Sequence, residues 1–527
     1  MIVVGAGHNG LTCACYLARA GLRVLALDRY PEVGGMTITH ELTLPDHHSD
    51  VHASGFLVAK MTPAPEELDL ADHGLELITP DPNWVHLLPG ERAIKIHRDV
   101  ERTAAGIAEI SERDAQSWRE LYQRYQQERD GIVAGMCSTP PPLADHVREA
   151  AAGGADGYRF ETQTARSAAH ETFESDEMRT LFASFAMHAA ASPDDVGGGA
   201  FAWLFASAVQ DVGCSLVKGG MHSVSRALAD DLRAHGGEIR TAAAVRRILV
   251  ESGRCTGVEL DDGETIAAGA VASSVDPLHL ATDLLGEPAL GAEILDKARR
   301  YEFGDSFFAV YAALDGPPEY RAGDDAAHAC YLHAGADSIE DLSLTYSQCR
   351  AGELPATPML GVINESLVDP SRAPEGAHLI KLVAHFVPYE IRGDATGRGI
   401  GGTDWDGAKE DYADYLVDRL TDEHIPNLRE RITKRVVQSP VDLERRMPSA
   451  VRGTHQHGAF LPYQTGPMRP IPELGSYRSP IDGVYLCGAG SHPGSGVSMA
   501  PGRNAAQEIA GDLRVDFPGR ALAATAS

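Results

Sequence analysis

Ile2-Val3-Val4-Gly5-Ala6-Gly7-His8-Asn9-Gly10 is a short apolar run that breaks into three glycines spaced as GxGxxG. Leu11, Cys15, Leu17, Ala18 and Ala20 then recur at helical spacing, and after Gly21 a second apolar run, Arg23-Val24-Leu25-Ala26-Leu27, ends on Asp28. The pattern predicts strand, tight turn, helix and strand, with an acid 18 positions beyond the last glycine. Each position has a separate physical reason: Gly5 permits the turn, Gly7 lets the backbone approach a pyrophosphate, and Gly10 lets the helix pack closely on the strand. The helix N-terminus faces phosphate charge, and Asp28 stands where a ribose hydroxyl needs an acceptor. A dinucleotide is therefore expected here.

The next stretch, Arg29-Tyr30-Pro31-Glu32-Val33-Gly34-Gly35-Met36-Thr37, offers a second bare backbone for close approach. It resembles the diglycine motif of FAD enzymes of the glutathione-reductase superfamily, in which this loop runs beside the pyrophosphate and the flavin. The resemblance implies FAD, with Gly5, Gly7, His8, Asn9, Gly10, Asp28, Arg29, Gly34, Gly35, Met36 and Thr37 as the first set of cofactor-binding candidates.

Near the other end, Gly483-Val484-Tyr485-Leu486-Cys487 reads as a buried strand leading into Gly488-Ala489-Gly490-Ser491-His492-Pro493-Gly494-Ser495-Gly496-Val497-Ser498 and then a helix. Only some 30 residues follow, too few for the second strand and ribose acid of another nucleotide unit, so this is expected to be the last strand and helix of the first domain. That helix would aim its amides at an electron-rich group, with Gly494, Gly496 and Gly502 keeping the approach open. The stretch closely resembles the C-terminal FAD motif of phytoene-dehydrogenase-like proteins. With both ends matching, the chain resembles the FAD-dependent phytoene desaturase family within the amine-oxidase-like superfamily, over roughly residues 1–60, 215–280 and 445–515. The resemblance adds Gly488, Gly490, Gly496, Val497 and Ser498 to the FAD set. It also implies that Val245 meets the adenine through its backbone.

Between the ends, Ala243–Val250, Cys255–Leu260 and Thr265–Ala267 are short strand patterns broken by Ser252-Gly253 and Asp261-Asp262-Gly263, which predicts a β-meander. The expected fold is α/β: a Rossmann-like FAD-binding domain of glutathione-reductase type, assembled from residues 1–60, 215–290 and 475–527. An interleaved α+β substrate domain takes 61–214 and 291–474. Trp118, Leu121, Tyr122 and Tyr125 mark one core stripe of a helix in the latter.

Composition narrows the functional classes. The chain has 527 residues, 46 Lys plus Arg against 75 Asp plus Glu and a net charge of −29, so nucleic-acid binding is not expected. Cys13, Cys15, Cys137, Cys214, Cys255, Cys330, Cys349 and Cys487 are scattered without CxxC or Cys/His spacing, which predicts neither a zinc site nor a disulfide framework. The longest apolar stretch, Gly199–Val209, is far shorter than the ~20 residues of a membrane span. An N-terminus that enters a strand at once leaves no room for a leader, so a cytoplasmic protein is expected.

For chemistry, Cys13-Ala14-Cys15 has the wrong spacing for a disulfide reductase. Gly488-Ala489 departs from the Gly-Asp usual in aromatic hydroxylases, and Ser491-His492-Pro493 departs from the tyrosine often found in amine oxidases. Hydride removal from a carbon centre of a hydrophobic or alicyclic small molecule to flavin N5 is the favoured reaction, by desaturation or dehydrogenation. The alternatives are a non-redox FAD-dependent double-bond isomerase, an amine oxidase, or a flavin-free binding protein like the Rab escort proteins. Histidine is the best proton carrier near neutral pH, with His492 first by motif position and His52 second. No metal site is expected, since His47, His48 and His52 have no carboxylate partner fixed by sequence. The acceptor that reoxidises the flavin, oxygen or a quinone, is left open, as is an oligomer.

Overall fold

The structure is a computed structural model and describes residues 1–402 and 404–522. Its first sheet has five strands in the order Val484–Leu486, Val271–Ser273, Ile2–Val4, Leu25–Leu27 and Glu238–Arg240, every neighbouring pair parallel. Sequence-remote segments thus become neighbours, and the first strand sits at the centre. Both faces of such a sheet are covered, which is why its strands read as unbroken apolar runs. The helix His8–Arg19 packs on the last helix, Ala500–Leu513, and on His222–Ala234. A Cβ on Gly502 would lie 2.2 Å from the Asn9 carbonyl oxygen, so this glycine serves helix–helix contact. The meander is present as the antiparallel strands Val245–Glu251, Arg254–Leu260 and Thr265–Ala267.

A second sheet of seven strands runs Ile432–Gln438, Ser306–Leu314, His378–Val387, Leu360–Ile363, Tyr331–Ala334, Trp84–Leu87 and Ala93–Ile96. Its pairs are antiparallel except Tyr331–Ala334 with Trp84–Leu87. Ser306–Leu314 is buried along its whole length. Its alternation assigns the two faces: Phe308, Val310 and Ala312 pack with Trp405, Tyr412 and Leu416 of the helix Trp405–Glu423, whereas Phe307, Ala309 and Tyr311 share a core with Trp84, Trp118 and Phe185. That second face looks toward the first sheet and carries the cleft. The helix expected around Trp118 extends over Glu112–Met136, with Trp118, Leu121 and Tyr125 buried. Among the described residues, no helix is long and apolar enough to cross a membrane.

Candidate active site and cofactor cleft

The turn after the first strand is held by backbone geometry that side chains would spoil. Gly5 has φ +94°, and a Cβ there would meet Ser274 Oγ at 2.3 Å; a Cβ on Gly10 would lie 2.0 Å from the Gly5 carbonyl oxygen. Gly7 opens the helix His8–Arg19 with no side-chain cap and no acid in the first turn, so the first amides are left for an external acceptor. Gly34 bridges back to Gly7, and its amide donates to the Ala6 carbonyl at 2.9 Å. Thr37, fully buried, donates to the Gly34 carbonyl at 2.8 Å and braces the diglycine loop from behind.

These elements border an outer cleft of about 340 Å³, which takes in Gly5, Gly7, His8, Asn9 and Gly10 on one side and Asp28, Arg29, Gly35, Met36 and Val245 on the other. The Asp28 carboxylate is buried and accepts from the amides of Ala6 at 2.7 Å and Tyr30 at 2.9 Å. Burial raises its pKa, and the two amides oppose the rise. With about four lone-pair sites, the carboxylate keeps acceptor capacity toward the cleft. His8 Nε2 and Asn9 Oδ1 are buried without a partner. Bare amides, a side-chain-free Gly7, a free acceptor and two orphaned polar atoms fit a dinucleotide bearing a pyrophosphate and a ribose.

An inner cleft of about 210 Å³ joins the outer one at His8, Met36, His457 and Ala489, which border both. Its walls are Trp84, Phe205, Phe307 and Tyr331, with imidazoles from His52, His188, His385 and His455. Lys381, Val383 and His385 alternate along one strand and therefore share the face that borders the cleft. Gly496 and Val497, just before the uncapped last helix, close the side nearest the first sheet.

Lys381 directs its ammonium protons to one loop: the carbonyls of Asp50 (2.9 Å) and His52, and Ser54 Oγ at 3.0 Å. Burial lowers its pKa to about 8. Behind it Arg372 lies 3.1 Å from Asp50 Oδ1 and 3.3 Å from Glu365 Oε1, all three side chains fully buried. Burial pushes Glu365 up to about 7, against the pull of Arg372. This ion cluster and Lys381 tie the backbone of the loop carrying His52 to the second sheet. Burial also keeps the cleft imidazoles neutral: His385 falls to about 4, and His52, His188 and His455 lie well below the ordinary value.

Six residues read from the sequence as site candidates do not border either cleft. Gly34 and Thr37 brace the diglycine loop. Gly488 and Gly490 are packing positions, since a Cβ would lie 2.5 Å from the Ser274 carbonyl oxygen and 2.6 Å from the Pro277 ring respectively. Ser498 is buried, its carbonyl accepting from Thr62 Oγ1 at 2.9 Å. His492, ranked first as proton carrier, has Nε2 2.9 Å from the carbonyl oxygen of Gly135, at the end of the helix Glu112–Met136. It ties that helix to the glycine-rich loop instead. Sequence reasoning missed His188, His385, Lys381, Tyr331, Trp84 and Phe205. Lys381 and His385 carry a signal: they are the two polar residues within the strand that His378 opens, and four apart they must point to the same face.

A parallel-sheet cleft that fits a dinucleotide and adjoins a second, aromatic-walled cleft is the arrangement expected of an FAD-dependent oxidoreductase. The sequence profile described as flavin containing amine oxidoreductase matches residues 10–510, and the chain belongs to that family. It is 28% identical over 563 residues to mouse (Mus musculus) pyridine nucleotide-disulfide oxidoreductase domain-containing protein 2, covering 97% of this chain and 93% of the relative. It is 28% identical over 537 residues to a limonene dehydrogenase polypeptide of Castellaniella defragrans, at 98% and 95% coverage. It is 29% identical over 537 residues to the phytoene dehydrogenase of Streptomyces griseus, at 97% and 95% coverage. Among solved structures, cyclohexylamine oxidase from Brevibacterium oxydans shares the fold with a TM-score of 0.57 at 17% identity, over 97% of this chain and 99% of that one. The protein is thus a phytoene desaturase-like flavoenzyme with FAD as cofactor and a small-molecule substrate, and its parallel sheet is the Rossmann-like fold of that class.

Proposed function

We propose that the protein removes a hydride from a carbon centre of a compact, uncharged alicyclic molecule held in the inner cleft. The observation that carries this is the chemistry of the cleft wall: aromatic and aliphatic side chains, neutral imidazoles and Lys381, with no Asp or Glu bordering it among the described residues. The nearby carboxylates of Asp50 and Glu365 are turned to Arg372, so an ammonium substrate would have no counter-charge and would meet Lys381. This argues against an amine oxidase. Size argues for a compact molecule. An apolar cavity of about 150 Å³ holds benzene and drug-sized ligands need roughly 300 Å³ or more, so a cleft of about 210 Å³, part of it bordered by Met36, Gly496 and Val497 of the FAD set, takes at most a small ring. A relative named for limonene, a ten-carbon ring compound, is consistent with that scale.

In this reading residues 1–60, 215–290 and 475–527 bind FAD, and 61–214 with 291–474 shape the substrate chamber. FAD, when bound, supplies the hydride acceptor. The outer-cleft residues Gly7, His8, Asn9, Asp28, Met36 and Val245 would hold it. The aromatic walls exclude water and orient the C–H bond. In this reading His52, whose ring borders the inner cleft and is kept neutral by burial, takes the proton, and Lys381 fixes its backbone. The test is anaerobic mixing of the holoenzyme with cyclic alkenes, alcohols and amines while the visible flavin band is followed. The expected outcome is bleaching by an uncharged ring compound, with a product two mass units lighter. A product of unchanged mass would assign an isomerase, and bleaching by amines alone would reverse the charge argument.

A further inference from the structure

Among the described residues three arginines are fully buried, and they are not provided for alike. Arg372 lies against Asp50 and Glu365, and Arg503 lies 2.9 Å from Glu67 Oε2. Arg469, 1% exposed, pairs with no carboxylate among the described residues. Its guanidinium donates to the carbonyls of Ala489 at 3.1 Å, Gly458 at 3.2 Å and Ala459 at 3.5 Å. Its Nε has no partner, and its central carbon sits 4.8 Å from the centre of the Phe460 ring. Glycine makes the room: a Cβ on Gly458 would lie 2.9 Å from the guanidinium, and one on Gly494 3.4 Å from it. The titratable groups that face the charge are the Tyr301 hydroxyl and the rings of His457 and His492, and burial keeps all three neutral.

A guanidinium does not give up its proton in a protein, so burial cannot neutralise it. Taking it out of water is costly unless an opposite charge answers it, and carbonyl dipoles with one aromatic face answer only part. The chain supplies carboxylates to Arg372 and Arg503, whereas at Arg469 a whole positive charge is left over. Ala489, whose carbonyl Arg469 grips, borders both clefts, and so does His457, the neighbour of Gly458. The charge therefore stands one backbone layer behind the junction of the two clefts, where a group reaching from the outer one into the inner one passes.

We propose that Arg469 is the internal counter-charge for the reduced flavin, stabilising the anion formed on hydride transfer and so raising the cofactor's reduction potential. The proposal rests on FAD lying in the outer cleft with its hydride-accepting ring at the junction, and not on the identity of the substrate. Hydride transfer breaks one C–H bond and brings two electrons and one proton to a neutral ring. The ring gains one negative charge, and the second proton leaves the substrate separately. That charge exists only after reduction, so a fixed cation favours the reduced form over the oxidised one.

The test is the reduction potential of the bound flavin, read by anaerobic equilibration with a reference dye in the wild type, Arg469→Lys and Arg469→Gln. The glutamine keeps a donor for the Ala489 carbonyl and removes the charge. It is expected to shift the equilibrium about ten-fold or more toward the oxidised form, a fall of about 30 mV for a two-electron couple. Arg469→Lys should recover most of that fall, and flavin content checks that each variant has folded. Sulfite, an anion that adds reversibly to oxidised flavin and leaves the ring negative, gives a second reading on the wild type alone. Its Kd for the holoenzyme should lie about ten-fold or more below that for free FAD in the same buffer. An unchanged potential in Arg469→Gln, an equal fall in the lysine and glutamine variants, or sulfite bound no tighter than by free FAD would each overturn the proposal. Neither measurement uses a substrate, so a screen in which no ring compound bleaches the flavin would remove the dehydrogenase reading and leave this one standing.

Discussion

The outer and inner clefts adjoin, yet they are built from different parts of the chain. The outer one has an end built of backbone, where glycines and uncapped helix amides meet a carboxylate tied to two amides. The inner one is made of side chains from the second sheet and from the loops and helices against it, with neutral imidazoles held by burial and a loop pinned by a buried ion cluster. A backbone-built site depends on a few positions where no side chain fits. A side-chain-built site depends on protonation states. The two should therefore fail under different perturbations.

The largest effect is expected for Gly10→Ala. The added Cβ would sit 2.0 Å from a backbone oxygen, which has no rotamer to escape into, so the helix must move away from the turn. Overpacking of this kind costs about 1–3 kcal/mol or more, and here the strain falls on the amides proposed to meet the cofactor. The purified variant should carry little or no flavin, read from its visible absorbance. Full flavin loading would show that the turn tolerates a side chain and break the contrast.

Acid should strike the inner cleft next. His8 and His385 have folded values of about 4 against 6.5 for a free imidazole, because burial disfavours the charged ring. Between these values the unfolded chain binds protons that the folded one does not. Stability is full above about pH 6.5 and falls toward pH 4, by about 3 kcal/mol for each group. The urea midpoint should drop steeply across that window, and His385→Phe should flatten part of the slope. Equal slopes in the two proteins would mean that His385 titrates freely.

Lys381 gives the complementary alkaline test. Its folded value of about 8 lies below the free value of 10.5, so the unfolded state binds more protons between them and stability from this group rises with pH. Relative to Lys381→Met, the wild type should gain up to about 3 kcal/mol from pH 8 to 10.5. A constant difference across that range would place the ammonium in contact with solvent.

The same contrast explains what could be read from the sequence. Gly5, Gly7, Gly10 and Asp28 were legible because a backbone site demands fixed residue types at fixed local spacing, and strand and helix follow within thirty residues. The inner cleft has no such grammar. His52, His188, His385 and His455 come from segments far apart in the chain, brought together by tertiary contacts such as the pairing of Phe307 with His385 and of Tyr331 with Trp84 across strands. Motif position does not fix where a ring lies: His492 sits in the glycine-rich loop that borders the cleft through Ser495, Gly496 and Val497, and its ring meets the Gly135 carbonyl. The cysteines show the same limit, for Cys214 and Cys330, with nothing in their spacing to relate them, meet at 3.1 Å between sulfurs beside the inner cleft.

His492→Ala sets the smallest and sharpest test, because it separates a proton carrier from a tie between elements. The ring reaches Gly135 in the last turn of Glu112–Met136, where carbonyls lack partners within the helix. Its own carbonyl accepts from the Tyr477 hydroxyl at 2.8 Å, which in turn accepts from the Asn504 side-chain amide at 2.8 Å. Removing the ring deletes one hydrogen bond and leaves the backbone part of this chain intact, so the expected loss is about 1 kcal/mol of stability. The rate of flavin reduction by any substrate found should change by less than about three-fold, because the side chain borders neither cleft. A fall of a hundred-fold or more with flavin content unchanged would put His492 at the reacting atoms, and the division between a backbone-built outer site and a side-chain-built inner one would have to be redrawn around it.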